Sequence, residues 1–137
     1  DEKIADIDGI ESYKPADGST MTYWKFCLRV DDSKIQDGSV GLAKALKVYD
    51  VASAPRYVVK PAYKCMVFRD QNTFGDSHYP FNLARPEAVD YNDDNFQGTI
   101  KGLHDVLVLP INEKYEEHHI EFLADSIREA VEATKIK

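Results

Sequence analysis

Between Arg69 and His104 the chain offers no period that a helix or a strand could use. Asp, Asn, Gly and Pro recur too densely, at Asp70, Asn72, Gly75, Pro80, Pro86 and Asn92 among others. Compact domains rarely leave more than about 15 residues without regular structure, and this span is roughly twice that. Regular elements are therefore confined to its flanks. The aromatic residues deepen the problem. Within the run PRYVVKPAYKCMVFRDQNTFGDSHYPF stand Tyr57, Tyr63, Phe68, Phe74, Tyr79 and Phe81, several of them in expected loop. A lone chain of 137 residues would struggle to keep so many rings out of water, so the segment reads as built to lie against something.

The flanks carry clear signals. MTYWKFCLRVD, Met21 to Asp31, alternates: Trp24, Phe26, Leu28 and Val30 share one face, and Tyr23, Lys25, Cys27 and Arg29 the other. Residues 1–20 are polar and turn-rich, a loop with room for one short extended piece. Ser39 after Asp37-Gly38 suits a helix N-cap, followed by Val40, Ala43, Leu46 and Tyr49 at helical spacing. RYVVK, Arg56 to Lys60, reads as a second strand that Pro61 ends, and 62–68 as one or two helical turns. DVLVLP, 105–110, is a buried-type third strand. In the closing helix Ile120, Leu123, Ala124, Ile127 and Val131 form one stripe. The expected fold is α+β: a small, mainly antiparallel three-stranded sheet, helices on one face, a long irregular segment, and one domain over 1–137.

Charge narrows the partners. Net −7, with the Lys and Arg residues scattered, argues against a nucleic-acid backbone and against an anionic membrane surface. No apolar run approaches the length of a membrane span. Cys27 and Cys65 lack a Cys-x-x-Cys spacing and read as reduced packing residues; with no signal-peptide pattern, the expected location is cytoplasmic. The chain opens Asp1-Glu2-Lys3 without Met, which reads as a cut from something longer.

Few constellations suggest chemistry. His118 and His119 diverge by about 100° on a helix, and His78 and His104 lie in or beside loops, so all four read as solvated or capping and no metal is expected. Acidic pairs such as Asp93-Asp94 lack an apolar surround and read as solvated charges. What remains is RYVVKPAYKC. Arg56, Lys60 and Lys64 supply cationic donors, and Tyr57 and Tyr63 supply hydroxyls on flat apolar bodies, a set suited to an anionic or polyhydroxylated ligand. The competing reading is a strand whose Tyr and Arg stems simply cover sheet surface.

Five segments in order, STMTYWKFCLRVDD, SVGLAKALKVYDV, PRYVVKPAYKCMVF, TFGDSHYPF and LHDVLVLPINEKYEEHHIEFLADSIREAV, resemble the C-terminal part of the DegT/DnrJ/EryC1/StrS sugar aminotransferases. These are pyridoxal-phosphate enzymes of the aspartate aminotransferase fold. The Lys-Pro-Ala-Tyr-x-Cys run is most similar to the branch that aminates keto-cyclitols and makes aminohydroxybenzoate.

The resemblance implies a C-terminal small domain whose N-terminal large domain, with the Schiff-base lysine and the cofactor contacts, lies outside this sequence. It implies no catalytic and no cofactor-binding residue here. Arg56, Tyr57, Lys60, Pro61 and Tyr63 would line the substrate entrance, with Phe74 to Phe81 on a loop nearby. Implied partners are the large domain, a second subunit, a keto-sugar or keto-cyclitol, and Glu or Gln as amino donor. Two alternatives stay open: a free-standing α+β binding or interaction module, and a fragment of a non-transaminating dehydratase or regulatory homologue.

Overall fold

A computed structural model describes all residues, 1–137. Its regular elements are strands β1 (Ile10–Ser12), β2 (Lys25–Val30), β3 (Ala54–Pro55) and β4 (Val106–Pro110), with helices α1 (Gly38–Leu46), α2 (Met66–Arg69), α3 (Gln97–Asp105) and α4 (Glu117–Thr134). Short 3-10 turns fill much of the rest. The chain forms two compact units, one from 1–57 with 104–137, the other from 58–103.

The first unit is the α+β layer. Its four strands run in the order β1-β2-β4-β3, each antiparallel to its neighbour. Register explains the core: Leu28 stands opposite Leu107 and Phe26 opposite Leu109, so one face of the central pair is uniformly apolar. Leu42 and Leu46 of α1 and Ala124, Ile127, Ala130 and Val131 of α4 close over that face. Of the closing-helix stripe, Ala124, Ile127 and Val131 are buried, whereas Ile120 stays 36% exposed. Trp24, expected on the core face, is 77% exposed because it lies one residue before β2 begins, where the alternation no longer holds.

Several expectations about local structure change. The sheet has four strands rather than three, because Ile10–Ser12 pairs with Leu28–Val30. The expected strand Arg56–Lys60 does not form; pairing is confined to Ala54 and Pro55, plus one bond from the Arg56 N–H to the Val106 carbonyl. Arg56 turns out of the ladder at φ 50, and Val59 beyond it is 90% exposed, without a strand to lie against. Ser39 is not a cap: α1 begins one residue earlier, and the buried Ser39 hydroxyl donates to the His104 carbonyl at 2.9 Å. Cys27 is exposed rather than packed, on the outer face of β2, and Cys65 is half-buried; neither forms a disulfide.

The second unit contains the aperiodic segment, and it has almost no core. Tyr63 is the one buried residue between Val58 and Leu103. Aromatic contacts replace aliphatic packing. Tyr63 stacks on Phe96 at 4.1 Å between centroids, Tyr91 lies beside Phe96, and Phe68 meets Tyr91 and Phe81 edge to face. Phe74 and Tyr79 remain exposed. Helix α3 arises where no helical period is legible, since Gly98, Thr99 and Gly102 dilute its apolar positions. No helix of the chain is long and apolar enough to cross a membrane.

Candidate functional site

The five residues expected to line a substrate entrance divide between the units: Arg56 and Tyr57 belong to the first, Lys60, Pro61 and Tyr63 to the second. Each group has a defined chemical setting.

In the first unit, Arg56 leaves β3 in the left-handed region, a conformation that costs a non-glycine residue about 1 kcal/mol or more. Its guanidinium Nη2 lies 2.6 Å from Nε2 of His104. Arginine only donates, so in this contact Nε2 accepts and the ring N–H lies at Nδ1. That proton faces Oδ1 of the buried Asp105 at 3.2 Å, with an Asp32 carboxylate oxygen 4.0 Å away. Asp32, His104 and Asp105 offer ligand atoms within 4.8 Å of one another. With Nδ1 protonated and Nε2 occupied by Arg56, the cluster is a hydrogen-bond chain rather than a cation site.

Beside it, Tyr57 is half exposed and its hydroxyl touches the Lys25 ammonium. That ammonium lies 4.0 Å from the ring centroids of both Trp24 and Tyr57, so the cation sits between two aromatic faces.

In the second unit, Lys60, Tyr63, Lys64, Arg69, Gln71, Asp90, Tyr91 and Asn92 wall an open cleft of about 670 Å³. Pro61 precedes the 62–64 turn that positions Tyr63 and Lys64. Tyr63 donates its hydroxyl to Asp93 at 2.8 Å, and the Lys64 ammonium donates to the same carboxylate at 2.7 Å. Those two bonds hold Asp93 below the ordinary aspartate range, Lys64 contributing most. Burial, and then Asp93, push the Tyr63 phenol up. Tyr63 therefore shapes the wall, its hydroxyl already engaged. Lys60 stays exposed and free to reach a ligand.

Sequence reasoning read Asp93 as a solvated turn charge and His104 as a solvated histidine. Each instead receives a residue of the RYVVKPAYKC run from far along the chain, Arg56 onto His104 across 48 positions and Tyr63 onto Asp93 across 30. No local spacing announces partners at such separations. A second cavity, of about 520 Å³ in the first unit, joins apolar walls from Tyr23, Phe26, Ile111 and Leu123 to the charged residues Asp1, Glu2, Lys3 and Glu117.

A lysine that forms an imine needs its ammonium acidified by burial or by another cation. Lys3, Lys34 and Lys64 are shifted the other way, held protonated by hydrogen bonds they donate to Glu117, Asp8 and Asp93. These lysines do not fit the imine-forming role that pyridoxal phosphate requires. No protein-family model matches the chain, and no curated protein or solved structure matches it either.

Proposed function

We propose that this chain is the C-terminal small domain of a pyridoxal-phosphate-dependent aminotransferase of the DegT/DnrJ/EryC1/StrS family, acting in the cytoplasm on a keto-sugar or keto-cyclitol. The ordered series of five sequence motifs suggests the family. The observation that carries the reading is the near-absence of a core in the 58–103 unit, where Tyr63 alone is buried. A segment of that size cannot offset its ordering entropy with one buried side chain, so it needs apolar support from another body. Val59, Met66, Phe74 and Leu83, each at least 66% exposed, are the surface such a body would cover. The large domain of the parent and a second subunit supply it in this reading.

The amino transfer itself, from Glu or Gln to the keto-substrate, is chemistry that pyridoxal phosphate supplies on the large domain. This chain's part is orientation and water exclusion. In this reading each unit contributes by itself: in the first, Arg56 and Tyr57 carry donors and a flat apolar face; in the second, Lys60 carries a donor beside Pro61 while Tyr63 shapes the wall.

Two measurements test the assignment. The intact product of the gene should exceed twice the 15.5 kDa of this chain and carry the cofactor's absorption. In that parent, Tyr57→Phe or Lys60→Ala should reduce use of the keto-substrate more than cofactor loading. Equal loss of cofactor absorbance in both variants refutes the division of labour. A gene product of 15.5 kDa with no further domain favours the free-standing binding module instead.

A further inference from the structure

The cavity of the first unit, about 520 Å³, has apolar walls that reach the core and a set of charges that the core does not need. Phe26 of β2 stands opposite Leu109 of β4, and Tyr23 meets the Phe26 ring edge to face, with centroids 5.3 Å apart. Ile120, Ala124 and Ile127 of α4, four and three residues apart, supply the facing wall. Leu109, Ala124 and Ile127 are buried, whereas Ile120 is partly exposed, where the wall meets solvent. The volume falls within the roughly 300–1,000 Å³ of small-molecule sites.

Asp1, Glu2, Lys3 and Glu117 line the same cavity. Lys3 is committed: its ammonium lies 2.9 Å from Glu117 Oε1 and 3.4 Å from Glu121 Oε1. Tyr23 donates its hydroxyl to Asp1 Oδ2 at 2.8 Å. Glu2 is exposed. Even with the α-ammonium of Asp1 counted beside Lys3, the carboxylates of Asp1, Glu2 and Glu117 outnumber the ammonium groups. An apolar interior cannot satisfy a buried charge, so the charged end of a ligand has to stay among these residues. A carboxylate there meets excess negative charge and a lysine whose hydrogen bonds are taken. An ammonium meets carboxylate oxygens.

We propose that this cavity binds an apolar amine, its ring or chain between Phe26, Leu109 and the α4 side chains and its ammonium toward the carboxylates of Asp1 and Glu2. The inference uses the first unit alone and does not depend on the aminotransferase reading.

The test titrates the ¹³C-methyl-labelled chain separately with phenylbutylamine, phenylbutanol and phenylbutanoate, which share an apolar body and differ in the charge of the head. The amine should shift the methyl signals of Ile111, Ile120, Leu123 and Ile127. At low salt it should bind about three- to tenfold more tightly than the alcohol, and the carboxylate more weakly than either. The gap between amine and alcohol should close toward 1 M salt, where screening acts within about 3 Å. Glu2→Gln, an exposed change, should weaken the amine about two- to threefold at low salt and leave the alcohol unaffected. Ile120→Trp, which sets an indole at the partly exposed wall, should weaken amine and alcohol together, with the helical circular dichroism signal retained.

Alcohol or carboxylate binding as tightly as the amine at low salt, an amine that leaves those methyl signals in place, or a Glu2→Gln chain with undiminished amine affinity each overturns the proposal. Methyl shifts that follow protein concentration without any ligand overturn it too, by giving the cavity to a second copy of the chain.

Discussion

Replacing Gly41 by alanine tests the packing of α1 against the chain that precedes it. Intrinsic helix propensity favours the change by about 1 kcal/mol. The surroundings oppose it. A Cβ on Gly41 would lie 1.9 Å from the carbonyl oxygen of Gln36, where ordinary contact begins at 3.4 Å, and 3.1 Å from the Asp37 Cβ. The obstacle is backbone, and it is tethered. The Gln36 N–H donates to the Thr134 carbonyl at 2.8 Å, and its neighbour Ile35 is fully buried and bridged to Lys135.

Relief therefore requires moving α1 or the end of α4, an overpacking cost at the upper end of the usual range, about 3 kcal/mol. Net destabilisation should be about 2 kcal/mol, a fall of roughly 6–8 °C in Tm for a domain of this size. Thermal unfolding followed by circular dichroism measures it. Gly98→Ala is the control, since no atom lies within 4 Å of the Cβ site there and helical propensity acts alone, raising the stability of α3 by about 0.5–1 kcal/mol. A Gly41→Ala chain as stable as the parent would refute the close approach of Gln36 to α1.

Other outcomes follow from the two settings of the candidate site. Two-dimensional ¹⁵N spectra of the imidazoles at pH 8 should show His104 as the Nδ1–H tautomer, and Arg56→Ala should release it to a mixture; an Nε2–H form in the unmodified chain would break the Arg56–His104–Asp105 chain. Asp93 is held below 3.8 by Lys64 and Tyr63, so its folded-state pKa is depressed. Its stabilising contribution is complete above that ordinary value and disappears as pH falls through the lower folded-state pKa. The Tyr63 and Phe96 ring resonances should hold steady down to about pH 4 and shift below it, and Asp93→Asn should remove that step.

The α+β layer was legible because its elements obey their own periods. Alternation marked β2, the three-and-four spacing marked α4, and a short apolar run marked β4, all features written in neighbouring residues. What escaped depends on distant ones. β1 contributes three residues whose strand character comes from pairing with Leu28–Val30, not from Ile-Glu-Ser itself. RYVVK has the composition of a strand, yet the ladder ends at Pro55 and Arg56 turns away into its contact with His104. The residues expected at the site were found in polar settings, but their partners, Lys25, Asp93, His104 and Asp105, had no signature that a linear reading could detect. Trp24 shows the limit in the other direction. Its spacing fits the core face, but its place one residue outside β2 leaves it in solvent.

The brevity of β3 has a consequence for handling and for evolution. A protein that leaves this much greasy surface uncovered runs the hazard of clumping with its own copies. Its sheet gives such copies little to grip. At one margin β3 is two residues long, includes a proline without an amide hydrogen, and swings away immediately after it; at the other margin β1 is only three residues long. Strand-by-strand growth into fibrils needs a longer, straighter template than either margin provides.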